Sequence, residues 1–73
     1  MIERVTIDTD YIRLDQFLKY IAVAQTGGHA KILIKEGQIK VNNEICFQRG
    51  KKLIKNDKIE IDGQGIFQIV DKL

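Results

Sequence analysis

Apolar and polar residues alternate with two different periods along this chain, and the change of period predicts where strands give way to helices. Residues 2–7 have a period of two, which is typical of a short strand. The segment Asp8-Thr9-Asp10 has the composition of a turn and offers a cap for the helix that follows. From about Arg13 the apolar residues recur at helical spacing in one stripe: Leu14, Phe17, Leu18 and Ile21. We expect this first helix to end between residues 23 and 25.

A second helix is predicted over residues 28–36, after a break at Thr26-Gly27-Gly28. Thr26 is a suitable N-cap, and Gly37 can adopt the left-handed conformation that commonly ends a helix. The residues expected to pack inward are Ala30, Leu33 and Ile34. The two helices and the glycine-containing turn between them therefore form one unit.

Beyond this unit the period returns to two, which predicts several short strands. Residues 39–41 and 44–46 are predicted to form a hairpin around Asn42-Asn43, because asparagine adopts positive φ at low cost. Residues 48–55 form a basic loop anchored by Leu53 and Ile54, and further strands are predicted over residues 58–62 and 66–70. This order predicts an α+β fold, with two packed helices on one side of a small antiparallel sheet.

The chain is too short for more than one small domain, so we expect residues 1–73 to form a single unit. One cysteine, Cys46, is too few for an internal disulfide framework or a multi-thiolate zinc site. The longest apolar run, residues 20–24, is far shorter than the roughly 20 residues that span a membrane. The first residues also lack the basic and then apolar pattern of a signal peptide. We therefore expect a cytoplasmic protein with no membrane partner.

The net charge of +2 conceals an uneven distribution of charged residues. Residues 19–58 contain nine basic and three acidic residues, a balance of +6, whereas residues 1–18 and 59–73 each have a balance of −2. A basic segment of this kind is typical of proteins that bind polyanions. The alternative is a lysine-rich surface that only increases solubility, and charge alone does not decide between the two.

The sequence offers no set of residues suited to catalysis. It contains no serine, and its one histidine and one cysteine are seventeen positions apart. Cys46 stands between Ile45 and Phe47, so we expect it to be a small buried hydrophobic residue, and we expect Phe47 in the core as well. His29 falls in the first turn of the second helix, and we interpret it as a polar surface contact rather than a base or a ligand. We therefore expect no enzyme activity, no metal site and no cofactor.

The glycines of Thr26-Gly27-Gly28 suggest binding chemistry of another kind. Glycine in the first turn of a helix leaves backbone N–H groups uncovered where the dipole is positive, so a phosphate could approach closely. The alternative is a tight turn between helices that needs glycine for its geometry alone. The two interpretations are compatible.

Five segments within about residues 13–61 match a known pattern in order and spacing. They are RLDQFLK at residues 13–19, TGGHAK at 26–31, LIKEGQIKVNN at 33–43, KL at 52–53 and NDKIEI at 56–61. Together they resemble the S4-type RNA-binding domain, or alpha-L motif. The Gly27-Gly28 turn, which replaces a common Ser-Arg pair, and the basic stretch Arg49-Gly50-Lys51-Lys52 are similar to its small stand-alone subgroup. Asn43 and Asn56 replace turn glycines of the family pattern, which asparagine tolerates.

The resemblance implies a helix–turn–helix pair and a hairpin that form an L-shaped surface for structured RNA, such as ribosomal RNA or the ribosome. Carried over residue by residue, it implies the following RNA-binding residues: Arg13, Lys19, Thr26, Gly27, Gly28, His29, Lys31, Lys35, Arg49, Lys51 and Lys52. Asp15 is expected to hold the first helix to a basic or backbone donor, because a carboxylate cannot bind phosphate. Tyr20 and Phe47 are the only aromatic candidates for base stacking. We expect the protein to be a monomer.

Two other classes of function stay open. A two-helix unit with a tight turn also resembles a DNA reader, although the second helix lacks the Asn, Gln or Arg residues that would read base edges from its middle. An adaptor whose basic face docks an acidic protein is the second alternative.

Overall fold

Residues 2–71 are described in the computed structural model, and they form two helices and seven strands, which confirms the α+β class. In chain order the elements are β1 (Ile2–Thr6), β2 (Ile12–Arg13), α1 (Leu14–Tyr20), α2 (Gly27–Lys35), β3 (Ile39–Val41), β4 (Glu44–Ile45), β5 (Lys52–Leu53), β6 (Lys58–Ile61) and β7 (Gly65–Val70).

Five strands form one sheet in the order β1-β7-β6-β3-β4. The pairs β7–β6, β6–β3 and β3–β4 are antiparallel, as expected. The pair β1–β7 is parallel, with Ile2 opposite Ile66 and Thr6 opposite Val70, so the prediction of a purely antiparallel sheet is wrong. Alternation of apolar residues predicts that a segment is a strand but carries no information on its direction, which here depends on the path of the chain between β1 and β7.

A second, two-stranded sheet joins β2 to β5, with Ile12 opposite Leu53 and Arg13 opposite Lys52. The prediction that Asp8-Thr9-Asp10 caps the first helix is wrong, because β2 intervenes. The N-cap of α1 is Arg13, and its side chain makes no capping hydrogen bond. The chain thus enters α1 directly from a strand that is paired with the basic segment.

Both helices end in the same backbone arrangement, although only one end carries glycine. At the end of α2, Gly37 has φ +74° and its N–H donates to the carbonyl of Ile34. At the end of α1, Ala22 takes the equivalent left-handed position with φ +64° and donates to Lys19. Because alanine gives no signal for a left-handed residue, the predicted end of the first helix at residues 23–25 is too late, and α1 ends at Tyr20.

The turns between strands follow the expected chemistry. Asn42 and Asn43 both have positive φ, 51° and 73°, between β3 and β4, and Asn56 has φ 77° in the turn before β6. Two consecutive positive φ values are the geometry that a two-residue hairpin loop requires. Asn43 and Asn56 therefore both adopt the left-handed conformation that glycine takes most easily.

One apolar core lies between the helices and the five-stranded sheet. Phe17 of α1 meets Phe67 of β7 edge to face, with ring centroids 6.4 Å apart. The largest fully buried side chains are Phe17, Leu14, Leu18, Ile34, Ile39, Leu53, Ile59 and Ile69. Ile54 is 54% exposed, so of the two predicted anchors of the basic loop only Leu53 is one. Phe47 is 64% exposed, so its expected place in the core is also wrong.

Candidate functional site

The basic segment around residues 48–53 is fastened to the start of α1 by backbone hydrogen bonds. The N–H of Leu14 donates to the carbonyl of Lys51 at 2.8 Å, and the N–H of Asp15 donates to that of Arg49 at 3.0 Å. These bonds use donors at the beginning of the helix, which have no acceptor within it. The β2–β5 pairing continues the same attachment. A segment that the sequence predicts as a loop is therefore held against a helix.

Asp15 lies at the centre of this attachment and is only 3% exposed. Its Oδ2 accepts a hydrogen bond from Nη2 of Arg13 at 2.8 Å and lies 3.6 Å from Nε of Arg49, while its Oδ1 lies 2.8 Å from the N of Gln16. The predicted structural role of Asp15 is confirmed. Both arginine side chains stay about half exposed, at 48% and 50%, so the carboxylate fixes them without removing them from solvent.

Two lysines of the same segment complete what we call the basic loop cluster: Arg13, Arg49, Lys51 and Lys52. Lys52 places its Nζ 4.9 Å from the centroid of the Tyr11 ring, a cation–π contact. Lys51 and Lys52 are both exposed. The structure therefore brings together four of the predicted site residues that the sequence separates by up to 39 positions.

The first turn of α2 holds a second set of predicted residues. Thr26 is the N-cap, as predicted, and its Oγ1 accepts a hydrogen bond from the N–H of His29 at 3.0 Å. His29 in turn accepts at Nδ1 from the N–H of Gln25 at 3.4 Å, at an exposed position. The interpretation of His29 as a polar surface contact is confirmed.

Neither glycine of this turn is required by the fold. A Cβ on Gly27 would meet nothing within 4 Å, and a Cβ on Gly28 would meet only Oγ1 of Thr26 at 3.8 Å, an ordinary contact. Neither residue has positive φ. The interpretation that the turn needs glycine for geometry alone is therefore wrong. Within residues 2–71, the N–H groups of Gly27 and Gly28 also have no hydrogen-bond acceptor.

The remaining predicted residues lie on the helices. Lys31 and Lys35 are exposed and one turn apart on α2, and Lys19 is half-buried in the last turn of α1. We use the term α2 face for Thr26, Gly27, Gly28, His29, Lys31 and Lys35. In the part of the chain that the structure describes, no hydrogen bond or ion pair joins the α2 face to the basic loop cluster.

A groove beside the basic loop cluster was not predicted. Its most exposed apolar side chain is Phe47, with Ile45 beside it at 51% exposure. Cys46 is only partly buried against the core, and not fully buried as predicted, and its neighbours Ile45 and Phe47 face outward, in line with the alternation of side chains along an extended segment. Tyr11 was also overlooked as an exposed aromatic side chain, at 45% exposure.

Three further properties of the residues that the structure describes concern metal binding, a shifted pKa and membrane spanning. No group of three or more His, Cys, Asp or Glu side chains among them is placed to hold a metal ion. Lys55 has a raised pKa because its side chain is hydrogen-bonded to Asp71, at 2.8 Å. This pair belongs neither to the basic loop cluster nor to the α2 face. No helix within residues 2–71 has the length and apolar character needed to cross a membrane.

Comparison with known proteins adds two findings. A family model described as "S4 domain" matches residues 5–70. The chain is also 45% identical over 71 residues to the "Probable ribosome maturation protein RlbA" of Bacillus subtilis (strain 168). That match covers 97% of this chain and 100% of the relative.

Proposed function

We propose that this chain, which belongs to the S4 domain family, binds structured RNA and catalyses no reaction on it. The observation that carries the proposal is the basic loop cluster, in which backbone bonds and the buried Asp15 hold two half-exposed arginines beside two exposed lysines. Positive groups fixed before binding lose less conformational entropy when they meet phosphates. The cluster is therefore suited to a polyanion with regularly spaced charges.

The proposed interface combines this cluster with the α2 face and Lys19. In the alpha-L arrangement that we propose, the two helices and the β3–β4 hairpin form the L-shaped surface. The arginines and lysines neutralise phosphates and release counterions, which drives binding. The free N–H groups of Gly27 and Gly28 donate hydrogen bonds to a phosphate oxygen, whose approach no Cβ obstructs. Because double-stranded RNA hides its base edges in a deep groove, shape and phosphate spacing are read more than sequence.

Ribosomal RNA is the target that we favour. The name of the Bacillus subtilis relative, a probable ribosome maturation protein, supports this choice. We further propose that the chain acts as a single cytoplasmic domain and as a monomer. Crosslinking in cells followed by sequencing of the bound RNA would identify the target directly, and recovery of no RNA above background would contradict the proposal.

A competition experiment tests the class of polymer. The protein is titrated with an RNA duplex, a DNA duplex of the same sequence and heparin, all at the same salt concentration. We expect RNA to bind most tightly, because the chain belongs to the S4 domain family and its Bacillus subtilis relative is named a probable ribosome maturation protein. Equal affinity for DNA would favour the DNA-binding alternative. A preference for heparin over both nucleic acids would favour a site for any polyanion, including an acidic protein.

A further inference from the structure

The Phe47 groove lies between the β3–β4 hairpin and the segment that follows it, and it has a volume of about 550 Å³. Its walls are both apolar and polar, and they are formed by Val41, Asn42, Glu44, Ile45, Cys46, Phe47, Gln48, Lys51 and Asp57. A volume of this size is within the range of small-molecule sites and is ample for one nucleobase.

Most of the surface of the Phe47 ring is exposed, and the ring lies near the end of α2. A Cβ on Gly37, at the end of α2, would lie 3.5 Å from Cε1 of Phe47, so the ring rests close to the helix end. The backbone on either side is fixed: the N–H of Cys46 donates to Ile39 at 2.9 Å, and that of Lys51 donates to Gln48 at 3.1 Å. An exposed aromatic ring offers a face on which a base can stack.

The neighbours of the ring suit a nucleotide. Lys51 belongs both to this groove and to the basic loop cluster, so a cation for a phosphate lines the same groove as the ring. Gln48 can donate to or accept from a base edge, and Glu44 can accept from an exocyclic amino group. Asp57 is already engaged, because its Oδ2 accepts from the N–H of Ile54 at 2.9 Å and its Oδ1 from Nδ2 of Asn42 at 3.1 Å.

We propose that the Phe47 groove binds one unpaired RNA base, stacked on the Phe47 ring, while Lys51 binds the adjoining phosphate. This inference rests on the proposed function and deepens it, since it makes the target a duplex with an extruded base. Unpaired bases in bulges and loops are the parts of RNA that proteins stack on aromatic side chains. A protein partner fits less well: a stable interface takes about 20–30 residues a side, whereas nine line this groove.

The test compares a blunt RNA duplex with the same duplex carrying a single bulged nucleotide. The wild-type protein is expected to prefer the bulged duplex. Phe47→Ala is expected to weaken binding of the bulged duplex roughly 5- to 150-fold, the range for losing one base–aromatic stack, and to leave binding of the blunt duplex unchanged. Ile54→Ala, at a similarly exposed apolar position outside the groove, is the matched control and should change neither affinity.

A spectroscopic readout is independent of affinity. The sequence contains no tryptophan, so Phe47→Trp introduces a unique indole at the platform. Its fluorescence should be quenched by the bulged duplex and not by the blunt one.

If both duplexes bind with equal affinity and Phe47→Ala changes neither affinity, the proposed stacking site is wrong while the proposal of RNA binding stands. If neither duplex binds even at low salt, the proposed function itself fails. If Phe47→Ala instead abolishes self-association of the protein in sedimentation, the groove is a protein interface and the inference is overturned.

Discussion

The basic loop cluster and the α2 face present similar groups to a polyanion but are held in different ways. The cluster is tied to α1 by two backbone bonds, by the β2–β5 pairing and by the buried carboxylate of Asp15. Within residues 2–71 the α2 face has only local polar contacts, namely the Thr26 cap and the contact between Gln25 and His29, while α2 itself packs into the core through Ala30 and Ile34. Its glycines make no contact that requires them.

This difference separates residues that serve folding and binding together from residues whose position is free to serve binding alone. A substitution at Asp15, Arg13 or Arg49 is expected to change the stability of the free protein as well as its RNA affinity. A substitution at Gly27 or Gly28 is expected to change RNA affinity but to leave the stability of the free protein nearly unchanged. Four substitutions test this difference in support between the basic loop cluster and the α2 face.

The largest effect is expected from Asp15→Asn, which keeps the size of the side chain but removes its charge. We expect the free energy of unfolding in urea to fall by about 1–3 kcal/mol, because the hydrogen bonds to Arg13 and Gln16 lose their ionised acceptor. RNA affinity should fall as well, although the substitution makes the protein more positive. Asp62→Asn, at an exposed turn, is the control and should leave both quantities unchanged.

The direction of the change in RNA affinity for Asp15→Asn separates the effect of net charge from the effect of the arrangement of the arginines. If attraction between net charges governed binding, removing a carboxylate would strengthen it. Tighter RNA binding by Asp15→Asn would therefore show that the arrangement of the arginines is unimportant, and the contrast between the two regions would fail.

The next effect concerns Gly28→Glu at the second position of α2. An acidic residue in the first turn of a helix is favourable, so stability should be unchanged or rise by about 0.3–1 kcal/mol. RNA affinity should fall roughly tenfold, equivalent to ~1.4 kcal/mol, because the carboxylate repels the phosphate at the free N–H groups. Gly28→Ala, which adds a Cβ without charge, is the matched variant and separates steric from electrostatic loss. Unaltered affinity for Gly28→Glu would remove the turn from the interface.

A smaller effect is expected from Lys51→Ala, which tests the cluster without disturbing its support. Lys51 holds α1 through its backbone carbonyl, so removal of its side chain should leave the free energy of unfolding unchanged. The slope of log affinity against log salt concentration should become flatter by about 1, since one phosphate contact is lost. Arg49→Ala should flatten the slope equally but also destabilise the fold. Unchanged slopes for Lys51→Ala and Arg49→Ala would place the interface elsewhere.

The smallest effect is expected from Lys55→Ala, which removes a positive charge outside both regions. The salt dependence of RNA binding should not change, because Lys55 is paired with Asp71. Since this hydrogen bond raises the pKa of Lys55, the small stability difference from wild type should be present at neutral pH and vanish as the pH rises through that raised pKa. Thermal unfolding across an alkaline pH series measures it. A flatter salt slope for this variant would mean that RNA contacts extend beyond the two regions.

Elements with strong local signals were predictable from the sequence. The cap and end of α2 follow from Thr26 and Gly37, and the β3–β4 turn follows from Asn42-Asn43. The parallel direction of β1 was not predictable, because alternation of apolar residues does not encode the direction of a strand. The β2–β5 pair was not predictable either, because a two-residue strand has no period and its partner lies far along the chain. The early end of α1 was missed because its left-handed residue is Ala22 rather than glycine.

The candidate site shows the same division. Its charged residues and the structural role of Asp15 could be read from the sequence, as could the exposed position of His29. The convergence of Arg13 and Arg49 on one carboxylate depends on tertiary contacts, which no local pattern contains. Phe47 was misplaced because apolar neighbours suggested the core, whereas the alternation around Cys46 determines its direction.

The parallel pairing of β1 with β7 has a consequence for the order of folding during protein synthesis. Among the strands of residues 2–71, β1 is synthesised before all the others and pairs with β7, which is synthesised after them, as the match of Ile2 to Ile66 shows. Contacts so distant in sequence form slowly, because a long loop must close before they are gained. Until that happens the N-terminal strand has unpaired backbone groups and can join a strand of another chain. We therefore expect the unpaired edge of β1 to be a site of aggregation in the nascent chain until β7 has been synthesised.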